Sequence, residues 1–318
     1  MKRTIILSLI AMFICTVAAT AQTDETKYDR HVLIEEFTTE KCPNCPPVAS
    51  MMRDFLETSE YKDRVVLVAH HSGFYTDWLT TEADQCMLWF YNSTGTYAPA
   101  MMFDRYPNFL DGRNRTPVGF VSNGADLYKY VKRRLNKKSH VSLDITAEFD
   151  NAKTLTVRVK GDRTKNFSNT DPVIFVYLTE NNVKAQNQAG GGSNFKHAHV
   201  TRSYNHEWGV VLEWNGDTYE YECKLNVDPE WNKEELEIVA AISAFDVDDC
   251  NECVVENTRS IHFPTSNGIE DAAIEKNAVS TEYFTIDGVK AEALANGMYI
   301  QKITYSDGTV ETKKICRK

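Results

Sequence analysis

From His31 to Phe37 the chain forms a short, mostly apolar run that reads as a buried strand. After Cys45, residues Val48, Met51, Met52, Phe55 and Leu56 fall at i, i+3, i+4, i+7 and i+8, the stripe of an amphipathic helix. Pro46 and Pro47 fit only its first turn, where an absent N–H loses no partner, so the helix begins at or beside the cysteines. Arg64 to Ala69, with Val65-Val66-Leu67-Val68, predicts a second strand, parallel to the first if the helix is a crossover. Leu79, Ala83, Cys86, Met87 and Phe90 mark another helical stripe, and Ala100 to Phe103 a third strand preceded by Tyr97-Ala98-Pro99. A helix from about Asn123 to Lys138, with Leu127, Tyr128, Val131 and Leu135 on one side, closes the unit.

From His140 onward the period switches to two. Leu143, Ile145, Ala147 and Phe149 alternate with polar residues, as do Leu155, Val157 and Val159. Val173 to Leu178, Tyr219 to Leu225 and Leu236 to Ala244 add strand-like runs, and the whole predicts an antiparallel, immunoglobulin-like β-sandwich. Gln186 to Asn194, with Gly190-Gly191-Gly192, reads as a mobile connection, because no strand-to-helix context makes it a phosphate loop. Thr265 to Ala278 reads as a linker, followed by a hairpin-rich tail whose Asp287-Gly288 and Asp307-Gly308 pairs are turn signals.

The N-terminus changes the setting. Lys2 and Arg3, the apolar stretch Ile5 to Val17 and Ala19-Thr20-Ala21 have the layout of a cleavable secretory signal. The apolar run is shorter than the roughly 20 residues of a spanning helix, and no later segment is long enough, so an exported chain without a transmembrane helix is expected. The predicted organisation is a signal peptide over 1–21, an α/β domain over 22–139, an all-β sandwich over 140–264, and a linker with a β tail over 265–318. The formal net charge is -10, which repels phosphate backbones and argues against nucleic acid as a partner. Loss of Cys15 with the signal leaves an odd number of cysteines, so at least one is free or paired with another molecule.

Candidate chemistry centres on Cys42-Pro43-Asn44-Cys45. A thiolate at a helix N-terminus is stabilised by unpaired N–H groups and the helix dipole, which makes Cys42 the nucleophile and Cys45, one turn inward, the resolving thiol. Glu36, on the apolar strand, is placed to take or return the Cys45 proton. The same pair could equally be a static disulfide pinning the helix start. His70 and His71 read as exposed loop histidines, though they could line the same face. His197 and His199, two apart, would share one face of a strand, and with a third ligand such as His206 could hold a metal; packing or hydrogen bonding is the preferred reading. Cys250 and Cys253 read as a local disulfide capping the acidic turn at Asp246 to Asp249. No cofactor is required and no metal site is expected.

An apolar strand, an acid, a C-x-x-C pair opening a helix and a later Pro99 together resemble the thioredoxin superfamily. The resemblance implies that Pro99 is cis, faces the cysteines and shapes a groove for an extended substrate, with Ala98 offering backbone hydrogen bonds. Lys41 stands where that superfamily carries a tryptophan, and Pro46 where it carries a polar residue. Over residues 28 to 262 the architecture, with His197-Ala198-His199-Val200-Thr201-Arg202 and Trp231-Asn232, is similar to the Outer membrane protein 28-related family. That likeness implies an outer-membrane or surface location, in some descriptions an adhesin, and no defined reaction. The tail, with Asp287-Gly288-Val289, Gly297-Met298-Tyr299-Ile300 and a basic finish, resembles the sorting signals of type IX secretion. The expectation is an exported protein of the periplasm, outer membrane or cell surface that exchanges disulfides in polypeptides. The alternative is a non-enzymatic surface binding protein or adhesin with a structural disulfide.

Overall fold

The computed structural model describes residues 27–92, 97–150, 152–264, 278–285, 289–291, 295, 297–305 and 310–317. The expected signal segment, nearly all of the expected linker and the two Asp-Gly turns lie outside these residues.

The chain begins with β1 (Val32–Thr38), whose residues are all buried, and passes through the Cys42–Cys45 turn into α1 (Cys45–Thr58). Prolines occupy the first turn of α1, and Val48, Met52 and Phe55 form its buried face. β2 (Val65–His71) follows, then α2 (Glu82–Tyr91), fixed by a reciprocal capping box between Thr81 and Asp84. β3 (Ala100–Phe103) enters through a cis Ala98–Pro99 bond. The small hairpin of β4 (Phe109–Asp111) and β5 (Asn114–Thr116) leads to α3 (Gly124–Leu135), capped by Asn123 and ending in Lys132, Arg133 and Arg134, cations that suit the negative end of a helix.

The rest is β. In order come β6 (Asp144–Phe149), β7 (Thr154–Asp162), β8 (Val173–Glu180), β9 (Val183–Lys184), β10 (Lys196–His197), β11 (Val200–Tyr204) and β12 (Val210–Val211). Then follow β13 (Thr218–Asn226), β14 (Leu236–Ser243) and β15 (Val255–His262). The tail strands β16 (Ala278–Thr285), β17 (Gly297–Tyr305) and β18 (Val310–Arg317) form their own antiparallel sheet.

One mixed sheet organises the molecule, in the order β15-β14-β8-β11-β2-β1-β3, with β12 added beside β8. β1 and β2 are parallel, placing Glu36 beside Ala69 and Thr38 beside His71. The sheet continues because β11 pairs with both β2 and β8, Val200 lying opposite Ala69 and Glu180. Paired residues point to the same face, so the side that carries Glu36 and Ala69 also carries Leu178, Val176 and Ile174. On that side α1 and α3 cover Ile34, Leu67, Met101 and Phe103. There too, the three-stranded sheet β13-β7-β6 packs Ile145, Leu155, Val157 and Val159 onto β8 and β14. α2 covers the opposite face, with Met87, Leu88 and Tyr91 packed among Phe37, Val68, Phe175 and Tyr177. The result is a mostly β protein in which a sheet-on-sheet layer continues into a helix-covered βαβ unit.

Two expectations are corrected. Cys250 and Cys253 are both free thiols rather than a disulfide. Cys253 is buried with its sulfur turned into the loop, accepting from the Asp246 N–H at 3.1 Å and donating to the Asp246 carbonyl at 3.3 Å. His197 and His199 do not share a strand, because β10 ends at His197 and His199 takes a positive φ of 54° in the turn to β11.

Candidate functional site around the Cys42–Cys45 disulfide

Cys42 and Cys45 are joined as a disulfide at the N-terminus of α1, and are only 5% and 2% exposed. The Cys42 N–H donates to the Thr39 carbonyl at 3.0 Å, which turns the chain out of β1 and into the helix. On one side of the turn, Asn44, Pro47, Val48 and Met51 form a cleft of about 400 Å³ with Tyr97, Ala98, Pro99 and exposed Phe120. Pro99 is therefore across a cleft from the start of α1. Exposed Tyr75 lies under the Lys41 ammonium, and exposed Trp78 donates its indole N–H to Glu40 at 3.1 Å, so aromatic surface flanks the turn.

Behind the disulfide lies a cavity of about 700 Å³, lined by Cys45, Glu36, Met52, Leu67, His71 and His197 among others. Glu36 is 5% exposed, and its Oε1 is buried with no protein hydrogen-bond partner. Burial pushes its carboxyl up to about 8. This carries a stability signature. A carboxyl raised from 4.5 to about 8 keeps its proton in the folded chain while the unfolded chain has released it, so the fold loses stability as pH rises from 4.5 to 8. Glu36→Gln removes that loss, and the variant is expected to gain on the order of 2 kcal/mol or more over the native chain between pH 5 and pH 8. Urea denaturation at the two pH values checks this. An advantage of equal size at both would contradict a protonated, buried Glu36.

The histidines are placed differently from the sequence expectation. His70 and His71 are 0% exposed, because both fall inside β2 rather than in the loop after it. They point to opposite faces. His71 shares the Glu36 face and holds Asp77 through Nδ1 at 2.9 Å. Burial alone would raise the Asp77 carboxyl, but the His71 imidazole together with the Glu40 and Leu79 backbone N–H groups outweighs it and holds Asp77 at about 2. His197 meets His71 edge-on with ring centroids 4.6 Å apart, and burial together with the neighbouring His71 lowers it to about 4. Among the described residues no cluster of three or more His, Cys, Asp or Glu side chains is arranged to hold a metal.

The Gly-rich segment is not a free connection. It is a strap across the disulfide turn. Gln188 is buried and donates through Nε2 to the Cys42 carbonyl at 2.8 Å and, more weakly, to the Thr39 carbonyl at 3.4 Å. The Ala189 N–H donates to the Glu40 carbonyl at 2.7 Å, and the Gln186 N–H to Glu40 Oε1 at 2.7 Å. Gly190 has φ +75°, and a Cβ there would stand 2.6 Å from the Pro43 carbonyl oxygen. Only glycine fits that approach. Gly190→Val is expected to cost roughly 1–3 kcal/mol and to speed reduction of the disulfide by dithiothreitol, as the strap is forced off the turn. An unchanged reduction rate would show that the strap does not cover the sulfurs.

Among the residues the sequence reading singled out, the structure brings Cys42, Cys45 and Glu36 into one locality, with Pro99 across the neighbouring cleft. Gln188, Glu40 and Asp77 carried no signal of their own. Glu36 did, as an acid in a run that is otherwise nearly all apolar.

The sequence model of the family described as outer membrane protein Omp28 matches residues 104–262, half of the chain. The chain belongs to the Omp28 outer membrane protein family. Membership places it among exported proteins of the outer membrane or cell surface. Among the described residues no helix is long and apolar enough to cross a membrane. The fold of this chain is similar to the solved structure of HBP35 of Porphyromonas gingivalis, at 18% identity and a TM-score of 0.64, covering 92% of this chain and 100% of that one. A structure from Agrobacterium tumefaciens matches at 14% identity and a TM-score of 0.48, over 76% of this chain and 97% of that one. No curated protein matches the sequence. The Cys42–Cys45 turn lies outside the matched segment, but Gln188 and the strap lie inside it, so the Omp28-matched part of the chain holds the disulfide turn in place.

Proposed function

We propose that this Omp28 family member is an envelope-associated thiol–disulfide oxidoreductase with a thioredoxin-like unit over residues 22–139, acting on polypeptides. The sandwich over 140–264 serves as a docking or anchoring module, and the tail as a sorting-type segment. The observation that carries this reading is the disulfide between Cys42 and Cys45 at a helix N-terminus, with buried, unpaired Glu36 lining the same cavity as Cys45. Support comes from Pro99 across the cleft, where an extended peptide can lie beside the Ala98 backbone, and from the aromatic surface of Tyr75, Trp78 and Phe120. A dithiol reductant first reduces the Cys42–Cys45 disulfide to two thiols and is itself oxidised to a disulfide. The Cys42 thiolate then attacks a substrate disulfide, releasing one substrate thiolate and forming a mixed disulfide. Cys45 then resolves it, its proton passing to Glu36.

The low exposure of both cysteines favours the competing reading, a surface binding protein in which the pair is a staple. Reduction of insulin disulfides by the full chain, with a reduction potential above about -300 mV, is expected for the oxidoreductase. A pair with a lower potential and no turnover would sink that reading and leave the staple.

A further inference from the structure

The cavity behind the disulfide holds more polar chemistry than the exchange reaction has so far used. Glu36 and His71 lie on neighbouring parallel strands and on one face, Glu36 beside Ala69 and His71 beside Thr38. Both line the cavity with Cys45, and each has a buried polar atom with no protein partner, Oε1 of Glu36 and Nε2 of His71. The two differ in what lies behind them. Glu36 has only apolar burial, whereas His71 is backed by Asp77, which is itself anchored by the Glu40 N–H at 2.7 Å and the Leu79 N–H at 2.8 Å. With Nδ1–H donating to that carboxylate, Nε2 is the ring's open position. A space of about 700 Å³ with polar walls accommodates water, which needs two to four polar partners to be held. Glu36, Thr38 and His71 line it together.

Resolution by Cys45 sets a requirement. The Cys45 sulfur forms its bond to the Cys42 sulfur as the bond from Cys42 to the substrate sulfur breaks. The departing sulfur takes the electron pair, leaves as a thiolate and is protonated from solvent. The two protein thiols are oxidised and the substrate disulfide is reduced. The Cys45 proton needs an acceptor at that moment, and Glu36 accepts only when its own proton has gone elsewhere.

We infer that His71, held by Asp77, is the positioning residue that empties and refills Glu36 through water in this cavity, an inference that rests on the disulfide-exchange reading. An imidazole can take up a proton and release it again, which suits a relay. The other charged or titratable groups around the ring do not replace it. His197, edge-on to His71, is held neutral by burial and by His71 itself, and its Nε2 is 3.6 Å from Glu40, beyond hydrogen-bond reach. Arg53, Glu57, Lys196, His199 and Glu235 also line the cavity, but none of them is fully buried.

The test is His71→Gln in the full chain, with a labelled peptide disulfide as substrate and the two steps timed separately. Attack by Cys42 is expected at the native rate, and resolution roughly 10- to 100-fold slower between about pH 6 and pH 8. Added imidazole, small enough for the cavity, is expected to restore resolution in proportion to its concentration. The pH at which the Glu36 carboxyl ionises, followed by infrared difference spectroscopy, is expected to move. Native resolution in the variant, or slowing that is uniform with pH and untouched by imidazole, would overturn the relay. Asp77→Asn, which keeps the side-chain shape, is expected to show the same pH-selective slowing should His71→Gln not fold, and native resolution there would overturn it equally. A native chain that forms no mixed disulfide at all fails the exchange reading, whereas normal attack with unaltered resolution fails only the relay.

Discussion

Cys42→Ser is expected to abolish insulin-disulfide turnover, and Cys45→Ser to accumulate mixed disulfides between Cys42 and its polypeptide substrates. The asymmetry follows from where the two sulfurs sit. Cys45 is the first residue of α1 and lines the cavity with Glu36, so its proton has somewhere to go but its sulfur faces away from bulk solvent. Cys42 precedes the helix, where the positive end of the dipole favours a thiolate. Pro46 and Pro47 remove two of the N–H groups that would otherwise hydrogen-bond it, so the dipole carries more of that stabilisation than the N–H groups do. Gln188 on the Cys42 carbonyl fixes the turn, so the sulfur is presented in one orientation. A serine at 42 cannot attack. A serine at 45 leaves the attack intact and removes the release. Non-reducing gels of envelope fractions, with the trapped species dissolved by dithiothreitol, read the difference. Insulin turnover that survives Cys42→Ser, or a Cys45→Ser chain without trapped partners, would refute the mechanism.

Much of the scaffold was legible because it is written in periodicity. β1, α1, β2, α2, β3 and α3 fall within a few residues of the runs that predicted them, as do β6, β7, β8, β13 and β14. Glu36 beside the cysteine pair was legible for a related reason: an acid in an apolar strand is conspicuous. What joins the parts was not. β11 is a short strand, VTRSY, without clean alternation, and nothing local reveals that it pairs with β2 on one side and β8 on the other. The strap was read as a mobile loop because glycines signal freedom in isolation, whereas Gly190 is there to let two backbones touch. His71 was read as exposed because β2 was expected to stop at Ala69, and it runs two residues further. Cys250 and Cys253 have the spacing of a disulfide, yet a sulfur that finds an N–H donor in its own loop does not need a partner. In each case the missing term is a tertiary contact of long sequence separation, which no window of ten or twenty residues contains.

Arg105→Met is expected to cost about 3–5 kcal/mol, because it leaves one side of a buried ion cluster uncompensated. Arg105 is 0% exposed and donates to both carboxylate oxygens of Glu35, from Nε at 2.8 Å and Nη2 at 2.7 Å. Its guanidinium lies over the Phe175 ring at 4.1 Å. Glu35 also meets His70, whose other nitrogen is 2.9 Å from Asp84 of α2. The cluster thereby links β1, β2, α2, β8 and the turn after β3, across the join between the two parts of the sheet. Burial alone would raise Glu35, but Arg105 and His70 together outweigh it and hold the carboxyl at about 2. Burial alone would lower His70, but Asp84 and Glu35 outweigh it and raise the imidazole to about 9. The signs differ. The depressed Glu35 contributes stability that is present above 4.5 and lost as pH falls through 2, and the raised His70 contributes stability that is present below 6.5 and lost as pH rises through 9. Without Arg105 the Glu35 carboxyl loses its main stabiliser, so the acid-side loss should weaken in the variant while the alkaline loss through His70 persists. The variant is therefore expected to lie further below the native chain at pH 5.5 than at pH 3, and to show no narrowing of the gap at pH 9. Adding Glu35→Gln to Arg105→Met should recover part of the cost, since the stranded charge is gone. Guanidinium denaturation at pH 3, 5.5 and 9 measures all three. A loss under about 1 kcal/mol at pH 5.5, or a gap that does not narrow in acid, would mean that the cluster does not hold the two parts of the sheet together in the way its geometry implies.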